Sequence, residues 1–309
     1  MTGAAVRQVA IVGRDARADA LFAIVQPEHV SPRAQVRVVG WWAGVGLPVT
    51  AAPLATESLG DLLRTPDLDL VYVCGAAAQD PAVVRAVAAS GIEAVAFAPV
   101  AGDPDDVAKL RVTTELRATL AGSHGFEALA RGDVGEVLAV YVGVRVPADA
   151  EGAGAALRRW LAAALDLAAT ATGALPVRAF ARAGRLLGGE RDHLQVLLRF
   201  ADFAVATLDL LELPAGSAVA EVDIEVTGRE GLLRLKPLAH QVVASAFAAP
   251  AATERRGWHP EAVRVVIDDL LSVPAEASRV APTGSASLAR WMTDLEARLD
   301  EADEVVFDS

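Results

Sequence analysis

Short, mostly apolar runs alternate with mixed stretches through the first third of the chain, and that rhythm predicts its architecture. Residues 6–12, 70–74 and 94–98 are mostly apolar, and 35–42 carries Val36, Val38, Val39, Trp41 and Trp42, as expected of strands in a buried parallel sheet. The segments between them read as helices. One spans 17–25, a short one opens at Ser58 as its N-cap, and one covers 82–90. For the last, Asp80-Pro81 suits the first turn and Gly91 the end. Strands and helices in this order predict βαβ units. Beyond residue 120 the rhythm changes. A long strand is expected at 136–146 and a helix at 157–170. Strands follow at 177–185, 193–200, 203–211, 218–227 and 232–238, with turns at 200–203 and at Gly231. Consecutive strands with short turns predict antiparallel pairing. Helices at 259–271 and 287–301 are expected to close the chain. The fold class is α/β: a Rossmann-like doubly wound parallel sheet over 1–120, then an α+β domain over 121–309 with a large, mostly antiparallel sheet.

In an open α/β sheet, ligands sit beyond the carboxyl ends of the strands. The strand at 94–98 ends in Phe97-Ala98-Pro99. None of these three can serve as acid, base or nucleophile, so the scaffold of a site is expected without its working side chains.

Composition narrows the function classes. A length of 309 residues suits two domains, and 53% hydrophobic content supports a large core. With 5% aromatics, that core is built of Ala, Val and Leu. A net charge of -12 argues against nucleic acid and against acidic membrane surfaces, which need clustered cations. Lys109 and Lys236 are the two lysines, so a Lys-based mechanism has two candidates. Cys74 is the single cysteine; it excludes an internal disulfide and a Cys-based metal cluster, and reads as a small buried hydrophobe. The histidines show no metal-ligand spacing. The most apolar stretch, 161–177, is broken by Asp166, Thr170, Thr172 and Pro176. The chain is therefore expected to be soluble and cytoplasmic, with no metal.

The first βα turn meets the dinucleotide pattern G-x-G-x-x-G, whose small residues allow a tight turn, backbone approach to pyrophosphate and helix packing, only in part. The three positions hold Gly13, Asp15 and Ala18. Asp15 puts a negative charge where pyrophosphate would lie. The second strand ends Val38-Val39-Gly40-Trp41-Trp42, without the acid that holds ribose hydroxyls. Two readings stand: a turn that binds nothing, or a cofactor turn with Gly13, Arg14, Asp15, Trp41, Gly75 and Pro99 as contact candidates. Trp41 and Trp42 either stack on an aromatic ligand or pack against the following loop. His124 is either a cleft residue or an exposed loop histidine. Arg159 and Asp166, seven apart on one helical face, either grip a polar ligand or form a solvated face.

The order of pieces resembles the glucose–fructose oxidoreductase and inositol dehydrogenase family, Gfo/Idh/MocA, over nearly the whole chain. The resemblance is carried by Val9-Ala10-Ile11-Val12-Gly13, Ser58-Leu59-Gly60-Asp61-Leu62-Leu63, Pro66-Asp67-Leu68-Asp69 and Ala88-Ala89-Ser90-Gly91 before Pro99-Val100-Ala101. It continues in Gly132-Asp133-Val134-Gly135-Glu136-Val137 and in Thr227-Gly228-Arg229-Glu230-Gly231-Leu232-Leu233-Arg234-Leu235. The resemblance implies a Glu-Lys-Pro segment where this chain has Phe97-Ala98-Pro99, so Ala98 stands for the family's substrate-binding lysine. The histidine of a Pro-x-x-x-His pattern aligns with Asp80 and its proline with Ala76. The helix that supplies an aspartate, a catalytic histidine and a second aspartate aligns with Arg159, Ala163 and Asp166. An Arg-Phe-x-Pro segment has no room in residues 121–131.

These departures imply that standard NAD(P)-dependent dehydrogenase chemistry is lost. Exchange of a hydroxyl proton needs a His or Lys, and a developing alkoxide needs a nearby cation. The expectation is a pseudo-oxidoreductase that acts as a binding or partner subunit, or with a repurposed cleft for a small metabolite. It would bind no cofactor, or NAD(P) weakly. The alternatives are an active NAD(P)-dependent oxidoreductase with a non-standard site, and a non-redox enzyme in the same cleft. The family's usual oligomer surface, the open face of the second sheet, implies a homo-oligomer or a complex with a partner protein.

Overall fold

A computed structural model describes residues 6–14, 36–44, 55–114, 116–117, 119–148, 154–187, 192–239, 241–246, 249–256 and 304–306, with Ala18 and Leu295. Asp15, most of the helix expected at 17–25 and nearly all of the two closing helices lie outside the described residues. The chain divides into two compact units, the first running to Thr113 and the second beginning at Thr114.

In the first unit, β1 (Arg7–Val12), β2 (Val36–Trp42), β3 (Leu70–Val73), β4 (Glu93–Phe97) and β5 (Arg111–Thr113) form a sheet in the order β2-β1-β3-β4-β5. All its pairings are parallel. Val9, Ala10, Ile11 and Val12 are completely buried. Full burial of such a Val or Ile contributes about 1.5–3 kcal/mol, which explains why this central strand tolerates no polar side chain there. The helices start where the sequence supplies caps. Ser58 accepts from the Asp61 amide at the head of α1 (Leu59–Leu62). Asp80 accepts from Ala82 N at the head of α2 (Pro81–Ser90), which Gly91 ends at φ 72°. Asp103 caps α3 (Pro104–Val107). The short edge strand β5 was not foreseen, because it offers three residues and opens on a buried arginine, Arg111.

The second unit holds a sheet of nine described strands: β6 (Val137–Pro147), β7 (Pro176–Gly184), β8 (His193–Phe200), β9 (Val205–Leu213), β10 (Glu221–Gly228), β11 (Gly231–Lys236), β12 (Gln241–Ala246), β13 (Ala249–Arg256) and β14 (Glu304–Val306). Their order is β13-β12-β11-β10-β6-β9-β8-β7-β14. Only the β6–β9 pairing is parallel among them. Along β8 and β9, buried and accessible residues alternate strictly through most of each strand, so one face is covered. The cover includes α5 (Ala155–Thr172), which packs on β6 and β9. Its many alanines let the helix approach the sheet closely.

The sequence missed α4 (Leu120–Ala130), because Gly122, Ser123 and Gly125 argue against a helix. Close packing requires those glycines. A Cβ on Gly122 would lie 1.9 Å from Leu116 O, and one on Gly125 would lie 2.6 Å from Leu235 Cδ1. Strands β12 and β13 were missed because their Ala-rich sequences carry little strand preference.

Candidate functional site

The strand order 2-1-3-4-5 reverses direction between β1 and β3, so the crevice that such sheets offer to ligands lies beyond Val12 and Val73. Two glycine turns close together there. Gly13 has φ 97° and Gly75 φ 55°, both in the left-handed half of backbone space. A Cβ on Gly13 would sit 2.0 Å from Cys74 O, and one on Gly75 would sit 2.2 Å from Arg14 O. The backbone-on-backbone contact of a dinucleotide turn is therefore kept. Gly13 N donates to Trp42 O at 2.7 Å.

The end of β2 departs from that pattern. Trp41 is fully buried, and its indole Nε1 donates to Gly13 O at 2.8 Å. Its ring lies against the glycine turn at the strand end where dinucleotide-binding sheets keep a ribose-binding acid. Trp42 is half-buried beside it. Trp41 thus packs against the glycine turn after β1, and the loop after β2, against which the pair was expected to pack, lies largely outside the described residues.

The end of β4 is equally apolar. Phe97 and Ala98 are buried, and Phe97 meets the ring of Tyr72 edge-on at 6.2 Å. Ala98 N donates to Thr113 O at 2.8 Å. Pro99 O accepts from the Gln79 side chain, and Ala101 N from Ala78 O at 2.9 Å, tying this loop to the turn after β3. Cys74 is buried with its thiol directed at Val12 O, 3.6 Å away. A charge cluster lies instead at the amino ends of β1, β4 and β5, where Arg111 is buried and Arg7 and Glu93 are half-buried. Glu93 pairs with Arg7, and Arg111 Nη1 lies 3.5 Å from Glu93 Oε1.

In the second unit, the candidates on α5 have other occupations. Asp166 is 0% exposed. Its carboxylate accepts from Thr114 Oγ1 at 2.9 Å and twice from Arg117, through Nε at 2.6 Å and Nη2 at 2.9 Å. Arg117 also donates to Thr170 Oγ1 at 2.9 Å and lies 4.0 Å over the Phe126 ring. The alternative of a solvated face is thus corrected for Asp166: it is an internal anchor. Arg159, one half of the expected grip, is half-buried, and Ala163 is fully buried. His124 is not in a loop. It lies within α4, with Nδ1 3.4 Å from Glu127 Oε2.

One polar cluster was not singled out from sequence. His193 Nε2 lies 2.7 Å from Asp209 Oδ1, and Arg145 donates to Asp209 Oδ2 at 2.6 Å. Burial pushes the Asp209 carboxyl up, but hydrogen bonds from His193 and Arg145 outweigh it and hold the group below its ordinary value. The three residues belong to β8, β9 and β6, and only the sheet register brings them together. No cluster of His, Cys, Asp and Glu able to hold a metal occurs among the described residues. Nor is any described helix long and apolar enough to cross a membrane.

No family model matches the sequence, and no curated protein matches it. Solved structures do match over almost the whole chain. A levoglucosan dehydrogenase in complex with NADH superposes with a TM-score of 0.77 at 15% identity, covering 98% of this chain and 99% of that one. The WlbA dehydrogenase from Bordetella pertussis, in complex with NADH and UDP-GlcNAcA, gives 0.74 at 15% identity, with 99% of each chain covered. An NAD-binding oxidoreductase from Klebsiella pneumoniae gives 0.75 at 15%, covering 99% of this chain and 100% of that one. The chain thus has the fold of the Gfo/Idh/MocA-type oxidoreductases.

Proposed function

We propose that this chain keeps an oxidoreductase fold without the side chains for nicotinamide-dependent hydride transfer, and works as a binding or partner subunit for a small metabolite or a protein. The observation that carries the reading is the apolar end of β4, where Ala98 is buried and its amide is committed to Thr113. Proton exchange with a carbinol needs a tuned acid–base group within hydrogen-bond reach. Phe97, Ala98 and Pro99 supply none. The donor set at the end of β2 fits NAD(P) poorly as well, since an indole lies where a carboxylate would hold the ribose. The apolar side chains on the open face of the second sheet support self-association as part of the same reading.

A second reading, an active NAD(P)-dependent oxidoreductase with a non-standard site, is favoured by the two interlocked glycine turns and by the NADH held in neighbours of this fold. Turnover separates the two. The purified protein, given NAD or NADP with a panel of polyols and sugars, is expected to form no reduced cofactor. The Ala98→Lys variant is expected to form none either, because a single lysine leaves the other departures in place. Turnover by the native protein would overturn the proposal. Turnover by the variant alone would show that the remaining site is intact.

A further inference from the structure

The amino end of α5 and the carboxyl end of β9 meet in a polar site that its own residues satisfy only halfway. Alternate residues of β9 face the covered side of the sheet, and Glu212 ends a buried row that is otherwise Ala206, Leu208 and Leu210. Glu212 is 6% exposed. Its Oε2 accepts from Gly154 N at 2.8 Å, which puts the carboxylate at the first turn of α5. Its Oε1 is buried and has no hydrogen-bond partner, and among the described residues no cation pairs with it. The helix side is equally incomplete. The N-cap is Gly154, which has no side chain with which to cap. The first helical bond runs from Arg158 N to Gly154 O at 3.0 Å, so the amides of Ala155, Ala156 and Leu157 have no intrahelical partner, and all three residues are buried. Buried amides and buried carboxylates are normally matched. The neighbouring buried acid, Asp192, is matched in full: Oδ1 accepts from Leu186 N at 2.6 Å and Oδ2 from Leu187 N at 2.7 Å. A capping role for Glu212 accounts for Oε2 and leaves Oε1 and three amides over.

We infer that this end of α5 binds a free α-amino acid, with the ligand carboxylate on the helix amides and its ammonium on Glu212 Oε1. The inference rests on the small-metabolite part of the function proposed above and names the class of ligand. A helix N-terminus favours an anion through its amides and its dipole together. An ammonium brings three donors and the positive charge that a buried carboxylate needs. A simple anion would meet the Glu212 charge, and a simple cation would face the positive end of the helix. A ligand carrying both charges one carbon apart satisfies both halves at once. Ala155, Ala156 and Leu210, which are buried beside the two groups, are small or apolar, and this favours a ligand whose own side chain is uncharged.

Calorimetric titration of the full chain with glycine, alanine, serine, valine and leucine tests this. At least one of these probes is expected to bind saturably at or below millimolar concentration. For the probe that binds, its N-acetyl derivative, which lacks the ammonium, and its amide, which lacks the carboxylate, are expected not to bind. Glu212→Gln, first shown to melt as the parent does, is expected to weaken binding at least about tenfold, the loss of one charged hydrogen bond. Should that variant melt lower, the two derivatives decide alone. If no probe binds, if either derivative binds as its parent amino acid does, or if a normally melting Glu212→Gln protein binds unchanged, the inference is wrong. Failure of the wider reading is read separately. Turnover of NAD or NADP would overturn that reading whether or not an amino acid binds, and absence of amino-acid binding alone leaves it standing.

Discussion

Among the described residues, the ends of β2 and β4 and the middle of α5 treat charge in opposite ways. At the sheet ends, no titratable side chain stands at the end of β2 or β4. Trp41, Phe97 and Ala98 fill those places with apolar surface. On α5, a carboxylate is present and fully enclosed by Arg117, Thr114 and Thr170. One place carries no charged side chain, and the other has made its charge part of the core. What a group is bonded to decides what it can do, and sequence reports presence alone.

The largest effect should come from breaking the enclosed pair. Asp166→Ala leaves the Arg117 guanidinium buried without its counter-charge, and should cost about 3–5 kcal/mol in denaturant unfolding. Arg117→Met combined with Asp166→Leu should recover much of that loss, because an apolar pair of similar volume removes the uncompensated charge. If Asp166→Ala were nearly neutral, the carboxylate would not be the anchor described.

At the sheet ends a smaller change is expected. Trp41→Phe keeps most of the apolar volume but removes the indole N–H from Gly13 O. Leaving that buried carbonyl without this donor should cost about 1–3 kcal/mol. A neutral result would mean the indole is not what holds the turn, and the space beside it would be open to other occupants.

The smallest effect concerns acid. The Asp209 carboxyl is held below its ordinary value in the folded protein, so its contribution to stability is fully present above the unfolded value. It is lost as pH falls through the lower folded value. Below about pH 5, stability should therefore fall less steeply in Asp209→Asn than in the parent. Identical acid limbs would remove Asp209 from the charge balance of the sheet face.

Much of the fold was legible because burial writes itself into apolar runs and caps. Ser58, Asp80 and Gly91 stand where their helices begin and end, and β8 spans the residues expected. Elements that rely on tertiary contact were not legible. The glycines of α4 make sense only against Leu116 and Leu235. The bareness of Phe97-Ala98-Pro99 was readable, since it depends on residue type. The fate of Asp166 was not, because Arg117 lies forty-nine residues earlier in sequence and reaches it only in the fold. The His193–Asp209–Arg145 cluster was hidden for the same reason.

Calorimetric titration of the purified chain with NADH and with NADPH tests the central claim most directly. With an indole beside Gly13 and no lysine at the end of β4, where Phe97, Ala98 and Pro99 stand, heats are expected to show no saturable binding up to millimolar cofactor. Saturable binding of either nucleotide in the low micromolar range would contradict the account.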